Sequence, residues 1–122
     1  MVIEDDAGIA AALELGLGLY GHRAVVETDG ATGLRRLRAG PPPDVLLLDL
    51  VLPGASGRTI VEALAADERW QAVPIIIFSA TVHPDLLPPP ATYRAFLPKP
   101  FTLQRLCETI EAVLAGPETG RP

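Results

Sequence analysis

This sequence is poor in sulfur, in imidazole and in positive charge. A single cysteine, Cys107, cannot close an internal disulfide, and it sits on an apolar helical stripe where a core thiol is expected; the chain reads as cytoplasmic. The two histidines, His22 and His83, fall in a turn and a loop with no second ligand beside either, so a zinc site is not expected. Lys and Arg total 10 against 15 Asp and Glu, a net charge of -5. A nucleic-acid surface needs clustered cations to neutralise phosphates, and none is expected here. The basic cluster Arg35, Arg36 and Arg38 is short and reads as a solvated helix face. No apolar run approaches the roughly 20 residues of a membrane span. Met1-Val2-Ile3 passes directly into Glu4-Asp5-Asp6, without a signal-peptide pattern. Neither nucleic acid nor membrane is an expected partner.

Apolar residues are plentiful, at 48% of 122, enough for the core of one domain. Val45-Leu46-Leu47-Leu48 is too short for a helix and is opened by Pro41-Pro42-Pro43-Asp44. It reads as a strand buried on both faces, the mark of a central strand in a parallel sheet. The run ends on Asp49, and a Pro53-Gly54 turn follows. Open parallel sheets carry their chemistry just beyond the carboxyl ends of the strands. Asp49 stands at such an end.

The other elements follow from periodicity and punctuation. Met1 to Ile3 is a first strand, short for a central position, so that either the start lies upstream or the sheet tolerates a stub. Asp6 caps a helix over about Gly8 to Tyr20, with Ile9, Leu13, Leu17 and Tyr20 at helical spacing. Ala24 to Thr28 is a second strand, and Ala31 to Ala39 a helix with Leu34 and Leu37 facing in. Ser56 caps a third helix through Ile60, Val61 and Leu64. Trp70, after it, is expected to be partly buried. Ile75 to Phe78 is a second fully buried strand, ending at Ser79. Pro84 and Pro88-Pro89-Pro90 forbid an ordinary helix between Val82 and Tyr93. Ala95 to Leu97 is a short strand, and a last helix from Thr102 carries Leu103, Leu106, Cys107, Ile110, Val113 and Leu114 on one stripe. Gly116-Pro117 stops it. This alternation implies a parallel sheet with helices on both faces. Gly16 to Gly21 matches GxGxxG, but inside a helical pattern, so the glycines read as close-packing residues and not as a nucleotide loop.

Glu4, Asp5, Asp49, Ser79 and Lys99 all follow strands. Clustered carboxylates without His or Cys suit a hard cation with oxygen ligands, Mg²⁺ before Zn²⁺. Without a cation they repel, by about 4 kcal/mol for unit charges 4 Å apart at an effective dielectric of 20. A carboxylate, a metal, a hydroxyl and an amine around one point make a phosphoryl-transfer site. IEDD, DVLLLDLVLPGASG, PIIIFSA and FLPKPF, in that order and spacing, resemble the receiver domain of bacterial two-component response regulators. The resemblance spans Met1 to Gly116 as a single domain, with 117–122 as a polar tail. It implies an α/β, flavodoxin-like doubly wound five-stranded parallel sheet of order 2-1-3-4-5, with the fourth helix shortened or missing at the prolines. It also implies that Asp49 accepts a phosphoryl group from a sensor histidine kinase or histidine phosphotransfer protein. Glu4, Asp5, Asp49 and the Val51 backbone carbonyl would hold Mg²⁺. Ser79 and Lys99 would bind phosphoryl oxygens, Ser79 and Phe96 would form the switch, and the Lys99-Pro100 bond would be cis. The chemistry would be on the chain itself, with no enzyme activity on another substrate. Lacking a DNA-binding or catalytic output segment, the chain is expected to signal through another, unknown protein. The broken fourth-helix region supports one alternative, a phosphorylation-independent receiver-like interaction module. A haloacid-dehalogenase-type phosphatase is set aside, because Val51 stands where that family needs an acid.

Overall fold

In the computed structural model, which describes residues 1–52, 56–80 and 87–115, five strands form one parallel sheet. In chain order they are β1 (Val2–Ile3), β2 (Val26–Glu27), β3 (Leu46–Asp49), β4 (Ile75–Ser79) and β5 (Ala95–Pro98). Their spatial order is β2-β1-β3-β4-β5, the expected 2-1-3-4-5. The helices are α1 (Ala7–Leu19), α2 (Gly30–Ala39), α3 (Gly57–Ala65) and α4 (Leu103–Leu114).

Each helix starts where a short polar side chain can accept an orphan N–H. Asp6, Asp29, Ser56 and Thr102 take the amides of Ile9, Thr32, Thr59 and Arg105 at 3.0, 2.8, 3.2 and 3.0 Å. Such caps contribute about 1 kcal/mol each.

The sheet sorts its side chains by the two-residue period of a strand. Leu46, Leu48, Ile75 and Ile77 pack with Leu37, Ile60, Val61, Leu64 and Trp70 on the α2–α3 side. Leu47, Ile76, Phe78 and Leu97 pack with Leu13, Leu17, Leu106, Cys107 and Ile110 on the α1–α4 side. Burial of each large apolar side chain contributes about 1.5–3 kcal/mol, so β3 and β4, covered on both faces, are the rigid centre. Trp70, expected to be only partly buried, is 4% exposed, and its indole N–H has no hydrogen-bond partner. The turn that carries Trp70, Glu68–Trp70, is tied to the end of α2 by Arg69, which donates to the carbonyls of Arg38 and Gly40 at 3.0 and 3.2 Å.

α1 departs from the sequence reading. Leu13 and Leu17 face in, but Ile9 and Tyr20 do not, and Leu15 and Leu19 are 69% and 77% exposed. Apolar residues lie all round this helix, so periodicity did not single out its buried face. Of the GxGxxG glycines, Gly16 does allow close packing: a Cβ there would come within 2.7 Å of Leu103. Gly18 faces open space, and Gly21 takes φ +89°, the left-handed conformation that ends α1. His22, expected at the surface, is half-buried with its Nε2 lacking a partner.

Between β4 and β5 the described residues form only a single 3₁₀ turn, Pro90–Thr92, after the extended Pro89. That agrees with the expected loss or shortening of the fourth helix. The proline-rich stretch also includes Val82 to Leu86, with His83 and Pro84, which lie outside the described residues, as does the tail after Ala115. Among the described residues no helix is long and apolar enough to cross a membrane.

Candidate functional site

The carboxyl ends of β1, β3, β4 and β5 meet at one edge of the sheet. Glu4 follows β1 and is 0% exposed; Asp49 closes β3 and is 4% exposed. Ser79 closes β4 and is also buried. Lys99 follows β5, placed by its N–H, which donates to the Ser79 carbonyl at 2.9 Å. The Lys99-Pro100 peptide bond is cis.

Lys99 joins the two buried acids. Its ammonium donates to Glu4 Oε1 at 2.7 Å and to Asp49 Oδ2 at 3.0 Å. The remaining oxygens also have donors: Glu4 Oε2 accepts from the Asp6 amide at 2.9 Å, and Asp49 Oδ1 from the Val51 amide at 3.1 Å. Partial burial opposes the charge on Lys99, but the hydrogen bonds to Glu4 and Asp49 outweigh it and hold the ammonium above its usual range.

Asp5 completes a cluster in which carboxylate oxygens of Glu4, Asp5 and Asp49 lie within 4.8 Å of one another. Its carboxyl is pushed up from the ordinary value, first by desolvation and then by the neighbouring Glu4. Three acids face one lysine, so negative charge is in excess. An all-oxygen donor set of this kind fits a hard divalent cation such as Mg²⁺.

That imbalance gives a measurable expectation. A folded carboxyl with a raised pKa holds its proton more tightly than the unfolded one. Its contribution therefore favours folding at low pH and is lost as pH rises through the folded value. Asp5→Asn is expected to raise the metal-free melting temperature at pH 7 by about 1–3 °C, the scale of an exposed charge pair. The gain should shrink as pH falls below the Asp5 value, and Mg²⁺ should no longer stabilise the variant. Thermal melts with and without Mg²⁺ at several pH values check both effects.

Ser79 and Phe96 share a face of the sheet, because Ile77 pairs with Phe96 and Ser79 lies two residues beyond Ile77. Phe96 is half-buried against the α2–α3 core, against which Leu87 and Tyr93 also pack. Val51 is at the mouth of the site, its side chain exposed.

Two neighbours of Asp49 were not singled out from the sequence. The Phe78 ring lies under the Lys99 ammonium, 5.1 Å from its centroid. Gly57, first residue of α3, packs on the Asp49 backbone: a Cβ there would be 2.6 Å from the Asp49 carbonyl oxygen. The signal for Gly57 was present, since glycine inside a helix is unfavourable unless something needs the space.

With the site in view, comparisons with known proteins decide the family. The family profile described as the response regulator receiver domain matches residues 1–111. The chain belongs to this family. The Transcriptional regulatory protein PrrA of Mycobacterium tuberculosis is 34% identical over 116 residues, covering 93% of this chain and 48% of PrrA. Protein PilH of Pseudomonas aeruginosa is 30% identical over 118 residues, covering 95% of this chain and 97% of PilH. The chain thus spans about half the length of PrrA and nearly all of PilH. A CheY-like receiver domain protein from Methanospirillum hungatei has the same fold, with a TM-score of 0.82 at 24% identity over 94% of this receiver chain and 92% of its own.

Proposed function

We propose that this receiver is a phosphorylatable switch in two-component signalling, with Asp49 as its phosphoacceptor. The observation that carries this reading is the buried Asp49 carboxylate at the end of the central strand, with the Lys99 ammonium 3.0 Å from one of its oxygens. In the reaction, an Asp49 oxygen bonds to phosphorus as the bond from phosphorus to the donor histidine nitrogen breaks. The bonding pair stays on that nitrogen, and the ring, carrying a proton on its other nitrogen, leaves as neutral imidazole. The donor in this reading is a histidine kinase or a histidine phosphotransfer protein.

Glu4, Asp5, Asp49 and the Val51 carbonyl are the groups that would hold Mg²⁺. Bound there, the ion would offset the charge of the carboxylates and of the phosphoryl oxygens. Lys99 would exchange its bond to Asp49 for one to a phosphoryl oxygen, and Ser79 would donate to another. The chemistry takes place on the receiver itself, so in this reading the output is a change of its surface. Incubation with acetyl phosphate and Mg²⁺ should add one phosphoryl group by intact mass; an unchanged mass would sink the proposal.

The surface change is expected at Phe96. Ser79, drawn toward a phosphoryl oxygen, vacates space on the face it shares with Phe96. Because Phe96 is already half-buried, the further gain is on the order of 1 kcal/mol, about a fivefold population shift. The segment from Leu87 to Tyr93, with one 3₁₀ turn, is the cheapest to move with it. Hydrogen exchange with and without beryllium fluoride should differ from Leu87 through Phe96. Changes limited to the acidic loop after β1 and to Val51 and Leu52 would show that this route is unused.

A further inference from the structure

A lysine just past the edge strand β5 reaches an acid at the end of β3 by crossing the end of β4 between them. From β5 to β3 is two strand spacings, roughly 9–10 Å. The register sets what lies beneath that crossing. Asp49 pairs with Phe78, and Phe78 pairs with Leu97, so all three project to the α1–α4 face at one level. Phe78, fully buried, is the floor of the crossing, and the Lys99 ammonium stands 5.1 Å from its ring centroid. The ring is itself held: Phe101 meets it edge-on, with centroids 5.7 Å apart and planes at 84°.

We propose that Phe78 is a positioning residue for Lys99, its ring face seating the ammonium over β4 so that the amine turns between Glu4, Asp49 and an incoming phosphoryl group without losing its place. This rests on the phosphoacceptor reading above. Aliphatic side chains fill the neighbouring positions Leu47, Ile76 and Leu97, and an aliphatic residue at 78 would also suit the apolar surroundings. Only an aromatic face also attracts the cation, and it does so with little directional preference, most strongly where water is excluded. A hydrogen-bonding partner at this place would hold the amine to one direction. The ring attracts it in each direction that the two carboxylates and the phosphoryl oxygen require.

Two measurements test this. Lys99 is the chain's only lysine, so its ε-methylene protons give a single lysine signal by NMR. That signal should lie upfield of free lysine in the wild type, should remain upfield in Phe101→Leu, and should return to the free position in Phe78→Leu. A wild-type signal at the free position overturns the proposal. The second measurement is a cycle of phosphoryl uptake rates from acetyl phosphate with Mg²⁺, over wild type, Phe78→Leu, Lys99→Met and the double variant. Phe78→Leu should slow uptake by about three- to tenfold when Lys99 is present and by less than about twofold in the Lys99→Met background. Equal slowing in both backgrounds would mean that the ring only packs, and it overturns the inference while leaving Asp49 as acceptor. If the Lys99→Met background takes up no phosphoryl group, the lysine signal alone decides. No uptake by the wild type removes the phosphoacceptor reading and this inference together.

Discussion

Asp49→Asn is expected to abolish phosphoryl uptake, lowering the rate from acetyl phosphate by at least about 100-fold while the protein stays folded. The substitution keeps the size and shape of the side chain, and its amide can still engage Lys99 or the Val51 amide. What is lost is the charged oxygen that attacks phosphorus. Asp5 is the nearest rival acceptor, because it is exposed and belongs to the same cluster. Lys99, however, donates to Glu4 and Asp49, so phosphoryl oxygens at Asp5 would lack the amine that Asp49 has beside it. Glu4, the third acid, is 0% exposed against 4% for Asp49, so a phosphoryl donor has no access to its carboxylate. Intact mass of Asp49→Asn beside Asp5→Asn separates the candidates. Residual labelling in Asp5→Asn with none in Asp49→Asn is the expected pattern. Equal labelling of wild type and Asp49→Asn would move the acceptor elsewhere.

The parts of this molecule that were legible in sequence are those governed by short-range rules. Leu46–Asp49 and Ile75–Ser79 read as buried strands because both their faces are covered, which leaves continuous apolar runs. Asp6 and Ser56 read as caps because a cap is a one-residue chemical requirement. The convergence of Glu4, Asp5, Asp49, Ser79 and Lys99 followed from topology, since parallel strands bring their carboxyl ends to one edge. What was not legible depends on contacts across the fold. The outward turn of Ile9 and Tyr20 is set by which side of a helix with apolar residues all round it meets the α4 residues Leu106 and Ile110. The burial of Trp70 comes from the α2–α3 core it packs into, where Leu37 lies more than thirty positions back in the chain. The seat under Lys99 needs β4 to lie between β3 and β5, so Phe78 looks like any other core residue until the register is known.

Gly57→Ala is expected to destabilise the domain by about 1–3 kcal/mol and to impair Asp49 more than the lost stability accounts for. The reason is where the added methyl would go. It would stand 2.6 Å from the Asp49 carbonyl oxygen, 2.8 Å from the Leu50 Cα and 3.1 Å from the Leu50 carbonyl oxygen. All three are backbone atoms, so no side chain can rotate away to make room. The same residue donates its N–H to the Leu50 carbonyl at 3.0 Å, which fixes the start of α3 against the end of β3. Elsewhere in a helix, alanine in place of glycine would stabilise by roughly 0.5–1 kcal/mol, so the sign of the effect is itself diagnostic. Relief requires α3 to back away or the chain at Asp49 and Leu50 to shift. A shift at Asp49 would lengthen its 3.0 Å contact with Lys99 and its 3.1 Å bond to the Val51 amide. Denaturant unfolding measures the first consequence, and the phosphoryl uptake rate under conditions where the variant is fully folded measures the second. A variant as stable as the wild type would show that α3 accommodates the methyl. One that is destabilised yet takes up phosphoryl groups at the wild-type rate would show that helix movement alone absorbs it.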